Sequence, residues 1–211
     1  MLRLLLGGSF DPIHWGHLKP LLQAFELLQA DQMVLLPSAQ PPHRNGLGAS
    51  AEQRFTMAQL AAAALAPAPC CADDWELKQQ RPSYTAITLA QLAERWPHDT
   101  LVFVLGDDAF AKLDSWYNWQ QLLHHAHLLV LQRPQAKVPW SPALQNLVQQ
   151  RGAQSLLQLR QQTHGLIGFI ASTDVAISAT EIRAAISTQQ PWQHLLPKTV
   201  ANYIEQQQLY R

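Results

Sequence analysis

Short apolar runs that stop at glycine or proline recur along this chain, and stretches with helical spacing separate them. Leu2 to Leu6 ends at Gly7-Gly8, Met33 to Leu36 ends at Pro37, and Thr100 to Leu105 ends at Gly106. Successive side chains of a strand point to opposite faces, so a run that is apolar at every position suits a strand covered on both sides. Between the first two runs, His17 to Ala30 carries apolar residues at helical spacing, with Pro20 expected in the first turn, where a missing N–H is tolerated. The first 36 residues therefore read as strand, glycine turn, helix, strand, which is one βαβ unit.

The alternation continues. Ala39 to Ser50 is a loop by composition, and Ser50 with Gln53 forms a capping box that opens an alanine-rich helix reaching about Ala66. Pro67 to Asp74 reads as a loop, Trp75 to Lys78 as a short strand, and Ser83 as the start of another helix. His127 to Leu131 and Leu166 to Ala171 are further strands. Ser178 and Glu181 form a second capping box ahead of ATEIRAAIS, and a last helix lies near Lys198 to Gln208. This order predicts an α/β fold: a Rossmann-like, doubly wound, mostly parallel sheet with helices on both faces. Ligands are then expected beyond the carboxyl ends of the strands. The length of 211 residues suits a single domain, 1–211, with the Gln-rich stretch 138–164 as a helical insertion and a helical C-terminal part over about 177–211.

Lys+Arg and Asp+Glu are equal at 15 each, so no global field favours nucleic acid or a charged membrane surface, and an anion site has to be built locally. Cys70 and Cys71 are adjacent, a spacing that rarely closes a disulfide, and are expected as free thiols. The apolar run before Gly7 is too short for a signal peptide or a membrane span. A cytoplasmic protein is the expectation, with monomer and homo-oligomer both compatible.

The segment GGSFDPIHWGH, Gly7 to His17, lies where the first strand turns into the first helix. Unpaired backbone N–H groups and the positive end of a helix dipole receive phosphate at such a place. Gly7 and Gly8 allow close approach of the backbone, and His14 and His17 stand so that both rings lean toward one point. The segment lacks the Gly-Lys-Ser/Thr end of a Walker loop and the G-x-G-x-x-G of a dinucleotide fold. A zinc site is the alternative for His-x-x-His, but no third ligand stands nearby at metal-site spacing, so no protein-held metal is expected. In ISATEIR, Ile177 to Arg183, Ser178 is the N-cap, Thr180 offers a hydroxyl in the first turn, and Arg183 presents a guanidinium one turn in.

Together these segments resemble the paired signatures of the HxGH nucleotidyltransferase superfamily, with His14-Trp15-Gly16-His17 as HxGH and ISATEIR as I-S-x-T-x-I-R. Within it the chain resembles the bacterial nicotinate-nucleotide adenylyltransferases over nearly its whole length, most weakly over Val138 to His164. The resemblance implies adenylyl transfer from ATP, with Mg²⁺, to nicotinate mononucleotide, giving deamido-NAD and pyrophosphate. It implies His14, His17 and Arg183 as catalytic. It lines ATP with Gly7, Gly8, Ser9, Phe10, Asp107, Ser178, Thr180 and, in the PPHR loop, His43 and Arg44. It gives the mononucleotide Ser9, Thr85, the ring of Trp116, the backbone of Tyr117, and Arg133. From the residues alone Trp116 also suits a core, Thr85 an ordinary helix start, and His43 and Arg44 a solvated loop. Nicotinamide mononucleotide as acceptor, or a nucleotide-binding sensor without catalysis, remain the alternatives.

Overall fold

The computed structural model describes residues 1–39, 47–79, 82–132, 139–172 and 177–211. The strands among them are β1 (Leu2–Gly8), β2 (Gln32–Pro37), β3 (Cys70–Ala72), β4 (Thr100–Gly106), β5 (His127–Gln132) and β6 (Ile167–Ala171). The helices are α1 (Trp15–Leu28), α2 (Ala51–Ala63), α3 (Thr85–Arg95), α4 (Asp107–Phe110), α5 (Leu122–His125), α6 (Pro142–Arg151), α7 (Gln158–Gln161), α8 (Ala179–Ser187) and α9 (Lys198–Gln206). Six strands form one sheet in the order β3-β2-β1-β4-β5-β6. The chain runs outward from β1 in one direction and from β4 in the other, so the order reverses between β1 and β4. This is the doubly wound, Rossmann-like arrangement, and that reversal is where such sheets take ligands.

The chain divides into two compact units. Unit 1 comprises Met1–Gly7, Pro20–Met33 and Tyr84–Asp174. In it β4 lies parallel to β1, with Leu2 opposite Thr100 and Leu6 opposite Val104, and β5 and β6 continue the parallel ladder. Leu4, Leu5, Val102, Leu128, Leu129 and Val130 are all fully buried, at adjacent positions along their strands. Burial on both faces is thus why these strands read as unbroken apolar runs rather than alternating ones. The connection from β5 to β6 carries α6 and α7. Arg160 there donates to the carbonyls of Leu28 (2.8 Å) and Gln29 (2.5 Å), satisfying the end of α1.

Unit 2 comprises Gly8–Lys19, Val34–Ser83 and Val175–Arg211. Both expected capping boxes are present: Ser50 accepts from the Gln53 N–H, and Ser178 from the Glu181 N–H, each at 3.2 Å. Two segments differ from expectation. The strand expected over Trp75–Lys78 is a 3-10 turn, Glu76–Lys78, and the strand is β3, inside the stretch read as a loop. Asp73 accepts the Trp75 N–H (2.9 Å) and Lys78 pairs with Asp74 (2.9 Å), and these local bonds favour a turn. The three residues of β3 are too few to leave a pattern in sequence. Cys70 and Cys71 are free, and burial pushes the Cys70 thiol up to about 12. Helix α1 also starts earlier than expected, at Trp15, because the His14 carbonyl accepts from both His17 (2.9 Å) and Leu18 (3.2 Å). Pro20 therefore lies inside the helix rather than in its first turn. No helix among the described residues is long and apolar enough to cross a membrane.

Candidate active site

In unit 2, His14 occupies the N-cap position of α1 and His17 sits within its first turn. Their ring centroids are 3.7 Å apart at 31°. The His14 backbone N–H donates to His17 Nδ1 (3.3 Å), so the ring proton of His17 sits on Nε2. The His17 ring also meets Phe10 in an edge-on arrangement, 5.4 Å between centroids. Phe10 is 1% exposed and holds φ 47, a left-handed conformation unusual for an aromatic residue. A Cβ on Gly8 would stand 2.7 Å from the Phe10 ring, so glycine there leaves room for the ring that meets His17. Gly16 has a related reason: its Cβ would stand 2.9 Å from both His14 Nδ1 and the carbonyl of Ile177.

That last contact joins the two ends of the sequence. Ile177 immediately precedes Ser178, the cap of α8, and Arg183 follows one turn later. Arg183 Nη1 donates to the Asp11 carbonyl (2.7 Å), and Nη2 to the Thr180 hydroxyl (3.4 Å). The Ser178 hydroxyl is engaged with Glu181, donating to Oε2 at 2.9 Å. The Ser178 oxygen is thus occupied within the cap of α8, where it also accepts the Glu181 N–H.

In unit 1, Asp107 follows β4 directly, is 7% exposed and accepts the Asp108 N–H (2.9 Å). Trp116 lies edge-on to Phe103 (6.4 Å), and a Cβ on Gly7 would touch the same Phe103 ring at 3.2 Å. Tyr117 is exposed and lies across Tyr84 at 4.6 Å, which brings the segment Ser115 to Trp119 against the residue before Thr85, the first of α3. His43, Arg44 and Arg133 lie outside the described residues.

The cytidylyltransferase-like family matches residues 5–185 of this chain. The probable nicotinate-nucleotide adenylyltransferase of Pseudomonas fluorescens is 44% identical over 208 residues, covering 98% of this chain and 96% of the relative. The protein of the same name from Cellvibrio japonicus is 46% identical over 210 residues, covering 98% and 97%. The chain belongs to this family. It is a nucleotidyltransferase. A solved structure of Plasmodium falciparum nicotinic acid mononucleotide adenylyltransferase complexed with NaAD has the same fold, with a TM-score of 0.73 at 18% identity over 99% of this chain and 97% of that one.

Four further residues, Asp11, Arg54, Tyr84 and Tyr210, are not marked as site residues by the sequence. Asp11 is 2% exposed, and its carboxylate accepts the N–H groups of Gly48 (2.9 Å) and Ala49 (3.0 Å). Arg54 is 1% exposed and donates to the carbonyls of Ser9 (2.6 Å), Ser38 (2.6 Å) and Ala39 (3.1 Å). It thereby ties the turn after β1 to the turn after β2. Burial holds its pKa below the usual guanidinium value, against the pull of the Asp11 charge. Tyr84 supports Tyr117, and Tyr210 donates to Asp11. One signal was available: Arg54 falls on the stripe of Met57, Ala58 and Ala61, which is the buried face of α2.

Proposed function

We propose that this chain transfers the adenylyl group of ATP to the phosphate of nicotinate mononucleotide, giving deamido-NAD and pyrophosphate. The observation that carries the reading is the imidazole pair at the start of α1, with Gly16 between the two histidines packed closely against the carbonyl of Ile177, the residue that precedes the cap of the arginine-bearing helix α8. A phosphate oxygen of the mononucleotide attacks the α-phosphorus in line. The bond from that phosphorus to the bridging oxygen breaks, and pyrophosphate leaves with the electron pair. The nucleophile is already an anion, so the step uses neither a general base nor a covalent intermediate. Alignment and charge screening are what the protein supplies. Two phosphate charges ~4 Å apart repel by about 1 kcal/mol in water and several-fold more in a drier site.

His17 Nε2–H and His14 donate to the α-phosphoryl oxygens as charge builds on them. Arg183 has five N–H donors, of which two are used on Asp11 and Thr180, and the rest are assigned to the outgoing pyrophosphate. His43 and Arg44 are assigned to the same anion from their sequence. Ser9 and the backbone of Gly7 and Gly8 line the triphosphate, and Asp107 takes the adenosine sugar. Mg²⁺ enters with the triphosphate as part of the substrate, MgATP. Trp116 stacks on the pyridine ring, with Thr85, the Tyr117 backbone and Arg133 assigned to its substituent and phosphate.

Incubation with MgATP and nicotinate mononucleotide should release pyrophosphate in step with a dinucleotide product. The acid should exceed nicotinamide mononucleotide in kcat/KM, because backbone N–H groups suit a carboxylate. Absence of pyrophosphate release would remove the reading, and equal kcat/KM would remove the acid preference.

A further inference from the structure

The Asp11 carboxylate is the meeting point of three segments of unit 2. Oδ1 accepts from the Ala49 N–H at 3.0 Å and from the Tyr210 hydroxyl at 2.8 Å. Oδ2 accepts from the Gly48 N–H at 2.9 Å, and Arg183 Nη1 stands 3.7 Å from the same oxygen. Arg183 Nη1 makes its shorter bond, 2.7 Å, to the Asp11 backbone carbonyl. A buried carboxylate next to a guanidinium would ordinarily be drawn into a close, two-pronged pair. Here three donors already occupy the carboxylate, and the arginine is held at its edge instead.

The C-terminal turn is shaped to supply one of those donors. Gln208 and Tyr210 both adopt left-handed backbone, φ 52 and 65, which non-glycine residues seldom take without compensation. Turned this way, the Tyr210 ring covers Gly48, where a Cβ would stand 2.7 Å from the ring, and its hydroxyl reaches Asp11. Burial, and after it the Asp11 charge, hold the phenol pKa well above its ordinary value, so the group remains an O–H donor at any working pH. The aliphatic part of Arg183 passes the same glycine, with Cδ 3.5 Å from the position of that Cβ.

We propose that Tyr210 is a positioning residue: by donating to Asp11 Oδ1 it keeps the carboxylate from drawing in the Arg183 guanidinium, which stays turned toward the phosphates of ATP. The inference rests on the adenylyl-transfer reading and on Arg183 as the phosphate clamp. Without the hydroxyl, Asp11 loses a donor, its charge is less compensated, and the guanidinium closes the 3.7 Å gap.

Tyr210→Phe removes the hydroxyl and keeps the ring over Gly48. In this variant kcat/KM for ATP should fall about tenfold, the scale of one hydrogen bond to a charged group, while the KM for nicotinate mononucleotide changes less than about twofold. The deciding measurement repeats the substitution in an Arg183→Ala background. A residue acting through Arg183 should lose its effect there, to within about twofold, whereas general loosening of the C-terminus would lower both backgrounds equally. Wild-type turnover with an unchanged Tyr210→Phe enzyme, or an equal loss in both backgrounds, overturns the proposal alone. An inactive wild-type chain overturns the adenylyl-transfer reading and this inference with it.

Discussion

Replacing Arg54 with methionine tests whether a buried cation ties together the turns after β1 and β2. The side chain is 1% exposed and makes three hydrogen bonds to main-chain carbonyls, two at 2.6 Å and one at 3.1 Å. Bonds from a charged donor contribute about 1.5–3 kcal/mol each, so their gross loss is roughly 4–9 kcal/mol. Against this, removing a guanidinium from the interior relieves a desolvation cost of several kcal/mol. Methionine approximates the lost volume, so no large cavity term is added. The net expectation is a loss of about 3 kcal/mol. For a chain of 211 residues that corresponds to a fall of about 6–12 °C in Tm. Urea unfolding followed by near- and far-ultraviolet circular dichroism reads the change directly. A loss below about 1 kcal/mol would refute the reasoning, because the carbonyls of Ser9, Ser38 and Ala39 would then be satisfied without the arginine.

His17→Ala should lower kcat by about a hundredfold or more, the scale for one preorganised donor, with little change in KM for ATP. Near-normal turnover would remove His17 from the mechanism. Trp116→Ala should raise KM for nicotinate mononucleotide and leave that for ATP unchanged, and a rise confined to ATP would put the ring in the wrong subsite. His127 is fully buried, donating from Nε2 to the Gln162 carbonyl (3.1 Å) and accepting the Leu166 N–H at Nδ1 (3.0 Å). Burial, with His164 acting the same way, holds its pKa below the ordinary histidine value. Above about pH 6.5 neither the folded nor the unfolded chain charges this ring. Below it only the unfolded chain binds the proton, so stability falls by up to about 1.4 kcal/mol per pH unit until the folded pKa is reached. His127→Gln should flatten that slope in urea titrations between about pH 7 and 5, and identical slopes in the two proteins would exclude the assignment.

What sequence could tell follows from how local each cause is. Strands β1, β2, β4, β5 and β6 were legible because burial on both faces writes itself as consecutive apolar residues. The helix starts at Ser50 and Ser178 were legible because a capping box spans four residues. Strand β3 was not, since three residues at half burial carry no period. In the candidate site, His14, His17 and Arg183 stood in compact motifs whose helical context could be read directly. Asp11 stands in the same motif, but nothing local marks its role, because its partners are Gly48, Ala49 and, 199 positions away, Tyr210. No spacing rule within one element reaches that far. Arg54 was the recoverable miss, since a charge on an otherwise apolar helix stripe marks a buried partner set.

The register of β1 against β4 has a consequence for how this chain becomes organised during synthesis. Leu2 lies opposite Thr100, so β1 gains this neighbour only after roughly a hundred further residues have emerged. Until then Leu4 and Leu5 present an unpaired edge and bare leucine side chains. The nascent half-chain therefore carries an open apolar strand edge, which passes from β1 to β4 and then to β5 as each strand is translated.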